Sequence, residues 1–272
     1  MITQAQAYLS GLLQATRRNV QRMAEVVPGT DAQALHHFLA HSPWDARAVM
    51  DQVAREVSDL MGDQETCLLL DETCFAKKGR RSVGVARQWF GLQGKTDNCQ
   101  VAVFAALARG KSVTLIDTEL YLPREWVEDP SRCAAAGVPE DRRVLKTKPV
   151  LAMELVERAR RNGVRFAWVA ADGTYGQDRA LLRQLDDAGE TFVVDVHRDQ
   201  RVFLEDPQCR TSKRRPADVG DVRVDDWVAG QPATAWQEVW IRRSTQGDLR
   251  VQALGAGSGC AKAHRLRPAV GS

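Results

Sequence analysis

Asp71 closes the apolar run CLLLD, and Asp172 closes FAWVAAD. Each stands where a buried strand would hand its last residue to a loop, and in open α/β sheets ligands gather beyond the carboxyl ends of strands. Two carboxylates brought to one rim by neighbouring strands offer hard oxygen donors, which magnesium prefers. Two such ions about 4 Å apart can activate a water and stabilise a leaving oxygen in phosphodiester cleavage. A strand-end aspartate also serves as a turn former or helix cap, so the spacing leaves both readings open. Glu72 adjoins the first carboxylate. Gly173, Thr174, Tyr175 and Gly176 follow the second, which puts Tyr175 beside the site, to contact a DNA backbone or to fill the core. Beyond Asp71 the chain turns basic, with Lys77, Lys78, Arg80, Arg81 and Arg87 and no intervening acid. A second basic run, RTSKRR at 210–215, holds Lys213, Arg214 and Arg215. Both runs suit nucleic-acid phosphates.

These residues need elements to position them. Residues 1–62 have helical periodicity throughout: YLSGLLQATRRNVQRMAEVV reads as one helix ended by PGT, DAQALHHFLAH as a second, and SPWDARAVMDQVAREVSDLM as a third. In the third, Ser42 is the expected N-cap, Pro43 the first helical residue and Asp45 the closing member of a capping box. This small bundle either contacts DNA or simply packs. From residue 63 the period becomes that of strands. TCLLLD, SVGVARQWFG, NCQVAVFAALARG and KSVTLIDTELYLP are strands, the last two forming a hairpin around Arg109-Gly110-Lys111. A polar connection at 123–146 follows, then helix (TKPVLAMELVERARRNG), strand (RFAWVAAD), helix (GQDRALLRQLDDAG) and strand (TFVVDVH). Antiparallel strands followed by helix–strand–helix–strand predict an α/β fold with a ribonuclease-H-like mixed sheet flanked by helices over 63–197. Residues 198–252, with Trp227, Trp236 and Trp240, predict a β-rich insertion. Residues 253–272 show no amphipathic or strand period and are expected to be disordered.

Composition excludes several classes. The 272 residues are 44% hydrophobic and 27% charged, with a net charge of +3, as expected of an ordinary globular protein. Arginine outnumbers lysine 30 to 8, which favours planar recognition of phosphates but also follows from a GC-rich genome. The six cysteines form no C-x-x-C pair, so neither a structural zinc nor a disulfide framework is expected. No apolar run reaches the 18 or so residues of a membrane span, and a cytoplasmic protein without membrane contact is expected. GAGSGC at 255–260 has no strand before it and no helix after it, so it is not a dinucleotide loop. His197, a lone histidine after FVVDV, reads as structural.

LLLDETCFAKKGRRSVGVARQWFGLQGKTDNCQVAV resembles the first catalytic block of a subgroup of bacterial insertion-sequence transposases of the DDE superfamily. LYLPREWVEDPSRCAAAGVP, KTKPVLAMEL and WVAADGTYG are similar to its later blocks, in the same order, and the likeness covers roughly residues 8–250. The resemblance implies a ribonuclease-H-like core and three acidic residues binding two magnesium ions, with manganese as a substitute. It also implies strand cleavage and joining at the element's ends on double-stranded DNA, by a homo-oligomer. Asp71 matches the first acid and Asp172 the second, with Glu72 as a supporting carboxylate. The third, a helical glutamate after the insertion, has no match. Glu128 in YLPREWVE mimics its spacing but lies before Asp172, and Ala135 replaces the lysine of that pattern. Glu238 falls in an expected strand. The resemblance therefore implies a shortened transposase, frameshifted near residue 253 and impaired in activity. The alternatives are a non-catalytic DNA-binding derivative and an inert relic.

Overall fold

The computed structural model describes residues 2–203, 221–244, 247–254 and 265–268. Its contacts divide the chain into two units, Met1–Val49 and Met50–Ser272. The first contains α1 (Ile2–Gln14), α2 (Val20–Val26) and α3 (Ala32–His41), packed around Ala15, Met23 and Leu35. The single helix expected across residues 8–27 is broken in two because Asn19 caps α2, its side chain accepting the Arg22 N–H at 3.0 Å. Gly11 allows α1 to approach α2 closely, since a Cβ there would lie 2.6 Å from Met23 Cβ.

The expected start of the next helix needs correction. Ser42 ends α3 and does not cap α4 (Ala46–Met61). Asp45 does so, accepting the Arg47 N–H at 2.8 Å and the Ala48 N–H at 3.3 Å. A carboxylate can reach two free amides of the first turn, as an N-cap side chain does. The unit boundary falls inside α4 rather than at residue 62, because Ala54, Val57 and Met61 pack in the core of the second unit.

That core surrounds one mixed sheet. The strands are β1 (Cys67–Ala76), β2 (Ala86–Phe90), β3 (Lys95–Arg109) and β4 (Ser112–Leu120), followed after the helices by β5 (Trp168–Ala171) and β6 (Phe192–Val194). β3 is long enough to pair with both β2 and β4 along one edge. Across its other edge the order runs β3-β1-β5-β6. β1, β3 and β4 are antiparallel in sequence, while β5 and β6 run parallel to β1. This is the ribonuclease-H-like arrangement expected from the element order. The β3–β4 hairpin turns on Gly110-Lys111, with Arg109 opposite Ser112, and Gly110 takes the φ of +57° that the tight turn needs.

Between β4 and β5 lie α5 (Arg124–Val127), α6 (Pro130–Ala135) and α7 (Lys148–Arg161). α5 and α6 fold the expected polar connection into a small platform around buried Trp126 and Cys133. α7 is capped by Thr147 and stopped at Gly163, whose φ is +74°. It lays Leu151, Leu155 and Val156 on Leu68, Leu70, Val103, Ala105 and Leu107 of the sheet. Each such buried side chain contributes about 1.5–3 kcal/mol. The opposite face of β1 and β3–β4 is largely open, with Phe75, Val113 and Leu115 between 44% and 61% exposed.

α8 (Gly173–Gly176) and α9 (Arg179–Asp187) join β5 to β6. Further on come β7 (Arg201–Phe203), β8 (Asp221–Arg223), α10 (Val224–Ala229), β9 (Gln237–Ser244), β10 (Gly247–Leu254) and β11 (Arg265–Pro268). β7 pairs with β8, and β9, β10 and β11 form a separate sheet. The strands match the expected β-rich region, and α10 is an addition to it. β11, which lies in the stretch expected to be disordered, pairs antiparallel with Val251–Leu254 of β10. No described helix is long and apolar enough to cross a membrane.

Candidate active site

Asp71 lies within β1, one residue beyond the end of its parallel ladder with β5. That ladder pairs Cys67 with Trp168 and ends with Leu70 opposite Ala171, so Asp71 and Asp172 are the next matched positions. Adjacent strands lie about 4.8 Å apart, which sets the two aspartates side by side at one rim. Both are exposed. Asp172 is also the cap of α8, with Oδ1 accepting the Thr174 N–H at 2.9 Å. The cap reading and the site reading therefore hold together for one residue. Asp71 Oδ1 accepts the Glu72 N–H at 2.7 Å. Partial burial raises the Asp71 carboxyl above its ordinary pKa; that amide opposes the shift, while the charges of Asp172 and Glu72 add to it. Among the described residues neither aspartate is ion-paired with a basic side chain.

Glu72 does not share this position. Side chains alternate across a strand, so Glu72 falls on the face of Leu68 and Leu70, against α7. Its Oε1 binds Lys148 Nζ at 2.6 Å. Its Oε2 is buried, as is the Tyr175 hydroxyl; neither has another partner, and the hydroxyl lies close enough to Glu72 to interact with it. Tyr175 is fully buried, and burial first, then the Glu72 charge, pushes its phenol far above the ordinary range.

A third strand ends the same way. β6 runs parallel to β5 with Val194 opposite Ala171, so Asp195 is level with Asp172, and its N–H donates to Ala171 O at 3.2 Å. The Asp195 backbone passes directly under α8: a Cβ on Gly176 would lie 1.8 Å from its carbonyl oxygen. Asp195 is not among the residues expected from the sequence, although TFVVD has the grammar of CLLLD. His197, two residues on, pairs with Asp199 instead. Among the described residues no three His, Cys, Asp or Glu side chains converge as a metal cluster. Glu128 is exposed and pairs with Arg124 at 3.4 Å, and Glu238 lies on β9 in the separate sheet.

The donor set fits a divalent cation: two unpaired carboxylates, adjacent and mutually repelling, with only oxygen ligands on offer. Asp71 and Asp172 are the residues that would hold it, while Glu72 is already engaged by Lys148.

The basic segment forms the loop between β1 and β2. Its backbone is tied inward by side chains from two directions. Asn98 Nδ2 donates to Lys77 O at 2.6 Å and to Gly79 O at 2.9 Å. Arg132 Nη2 donates to Arg80 O at 3.0 Å, and Trp126 Nε1 to Val85 O at 2.9 Å. Arg132 itself is stacked on Trp126, 3.8 Å from the ring centre. Lys78, Arg80 and Arg81 are left exposed and make no ion pair among the described residues. Arg87 is exposed on β2 and reaches Thr96 O at 3.5 Å. Lys213, Arg214 and Arg215 lie outside the described residues.

The chain is similar to known proteins. A protein of Microchaete diplosiphon described as "Probable transposase for insertion sequence element IS701" is 29% identical over 190 residues, which are 69% of this chain and 47% of that protein. The chain thus spans about half the length of the curated relative it matches. Residues 1–259 match the family described as DDE superfamily endonuclease. The match covers the helices before β1, both strand-end aspartates and β9 and β10 after α10, and the chain belongs to the DDE superfamily endonucleases.

Proposed function

We propose that this chain derives from an insertion-sequence transposase that cleaves and joins phosphodiester bonds at the ends of its element, with Asp71 and Asp172 as the metal-holding residues. The observation that carries the reading is the placement of these two unpaired carboxylates side by side at the rim of a ribonuclease-H-like sheet. Magnesium, or manganese in its place, would supply water activation and neutralise charge at the phosphorus. The protein's own part is to hold the two carboxylates on adjacent strands and to present Lys77, Lys78, Arg80, Arg81 and Arg87 to the phosphates of double-stranded DNA. The active form is a homo-oligomer on DNA. With Asp71 and Asp172 as its assigned carboxylates the centre is expected to hold its cations weakly and to cleave slowly.

The test is magnesium-dependent nicking of terminal-repeat DNA, measured beside DNA binding. Unmodified chain is expected to bind and to nick slowly. Asp71→Ala and Asp172→Ala are expected to lower nicking at least 100-fold and to change binding less than twofold. Robust nicking by the unmodified chain refutes the impairment, and nicking that survives both substitutions refutes the site. Binding with no Asp71-dependent nicking at all would instead favour a non-catalytic DNA-binding derivative.

A further inference from the structure

Behind the two aspartates lies a partly buried polar cluster that metal binding alone does not require. Lys148, the first residue of α7, holds Glu72 Oε1 at 2.6 Å across 76 residues of sequence. Glu72 Oε2 and the Tyr175 hydroxyl are both buried and have no other partner, and the hydroxyl lies close enough to Glu72 to interact with it. One is an acceptor and the other a donor. Burying a hydroxyl here carries a desolvation penalty that a phenylalanine of the same core volume would avoid. Each member is attached to a piece of the site: Glu72 follows Asp71 on β1, and Tyr175 lies three residues after Asp172 on the turn that Asp172 caps. Lys148 anchors the third element, α7.

We propose that Glu72, Lys148 and Tyr175 are positioning residues that set the spacing of Asp71 and Asp172, so that divalent-cation affinity depends on the Tyr175 hydroxyl and on the Lys148 charge. The proposal rests on the reading of Asp71 and Asp172 as metal ligands. Through Lys148 the strand is fixed to α7, and through Tyr175 the α8 turn is fixed to the strand. The sign of one substitution separates positioning from simple electrostatics. Removing the Lys148 charge would tighten cation binding if that charge only repelled the metal, and loosen it if the lysine holds Glu72 in place.

The experiment is Mn2+ binding by calorimetry and by electron paramagnetic resonance on the full chain, with thermal melting of the metal-free protein. Tyr175→Phe is expected to weaken Mn2+ binding at least fivefold while the metal-free melting temperature holds or rises. Lys148→Met is expected to weaken it at least fivefold, and Lys148→Arg to restore it to within twofold. Asp71-dependent Mn2+ binding that is unchanged or tighter in Tyr175→Phe and Lys148→Met overturns the proposal alone. Mn2+ binding unaffected by Asp71→Ala, or none in the unmodified chain, overturns the metal reading and the proposal with it. Should Lys148→Met not fold, Tyr175→Phe decides.

Discussion

Asp172 closes the first turn of α8 with both carboxylate oxygens, Oδ1 accepting the Thr174 N–H and Oδ2 the Thr174 hydroxyl at 3.4 Å, while its place at the end of β5 keeps it beside Asp71. This is possible only because α8 lies flat over the end of β6, and Gly176 is what permits it. A methyl group at 176 would meet the Asp195 carbonyl at 1.8 Å, so the turn or the strand must move. Gly176→Ala is therefore expected to destabilise the protein by about 1–3 kcal/mol, the range for overpacking, and to displace Asp172; urea unfolding measures the first effect. The two catalytic candidates were legible because an apolar strand ending in a single acid is a pattern of residue types. The orientation of Glu72 away from them was legible in principle as well, from the two-residue period of the strand. Lys148 was not, since its partner is 76 residues away and only the packing of α7 on β1 brings them together.

Among the elements, α7 is clamped to the sheet at both ends, by Lys148 on Glu72 and by Arg158 on β4. Arg158 binds buried Asp117 at 2.9 Å and also pairs with Glu119, which Arg142 reaches at 3.2 Å. Burial pushes the Glu119 carboxyl up, but the guanidinium groups of Arg158 and Arg142 win and hold it below its ordinary value. A lowered folded-state pKa stabilises above the unfolded value, about 4.3 for Glu, and that contribution is lost as pH falls through the folded value. Arg158→Met leaves two acids without this partner and is expected to cost about 3–5 kcal/mol at neutral pH. It should also flatten the decline in melting temperature below about pH 4, readable by calorimetry across pH 3–6. The helix and strand succession was legible from periodicity. The platform of α5 and α6 was not, because helices of 4 and 6 residues are too short to show a period.

For the molecule as a whole, the modest net charge of +3 conceals a loop that concentrates cations. Six residues of extended strand separate Asp71 from Lys77, about 20 Å, or about six base pairs of DNA at 3.4 Å each. The loop would therefore grip phosphates well away from the bond that the aspartates address. Replacing Lys78, Arg80 and Arg81 together by alanine is expected to lower the salt dependence of DNA affinity by about 0.9 in log–log slope for each phosphate that is no longer neutralised. Fluorescence anisotropy over a salt series reads this, and divalent-ion binding should be unaffected. The pairing of β1 with β5 also has a consequence for biosynthesis. Leu70 must wait for Ala171, 101 positions later. At about 5–20 residues per second, the ribosome needs about 5–20 seconds to deliver it. During that interval the β1–β3–β4 meander stands with one bare edge, a docking strip for any neighbouring nascent chain, so yield should improve when initiation is sparse and polysomes are uncrowded.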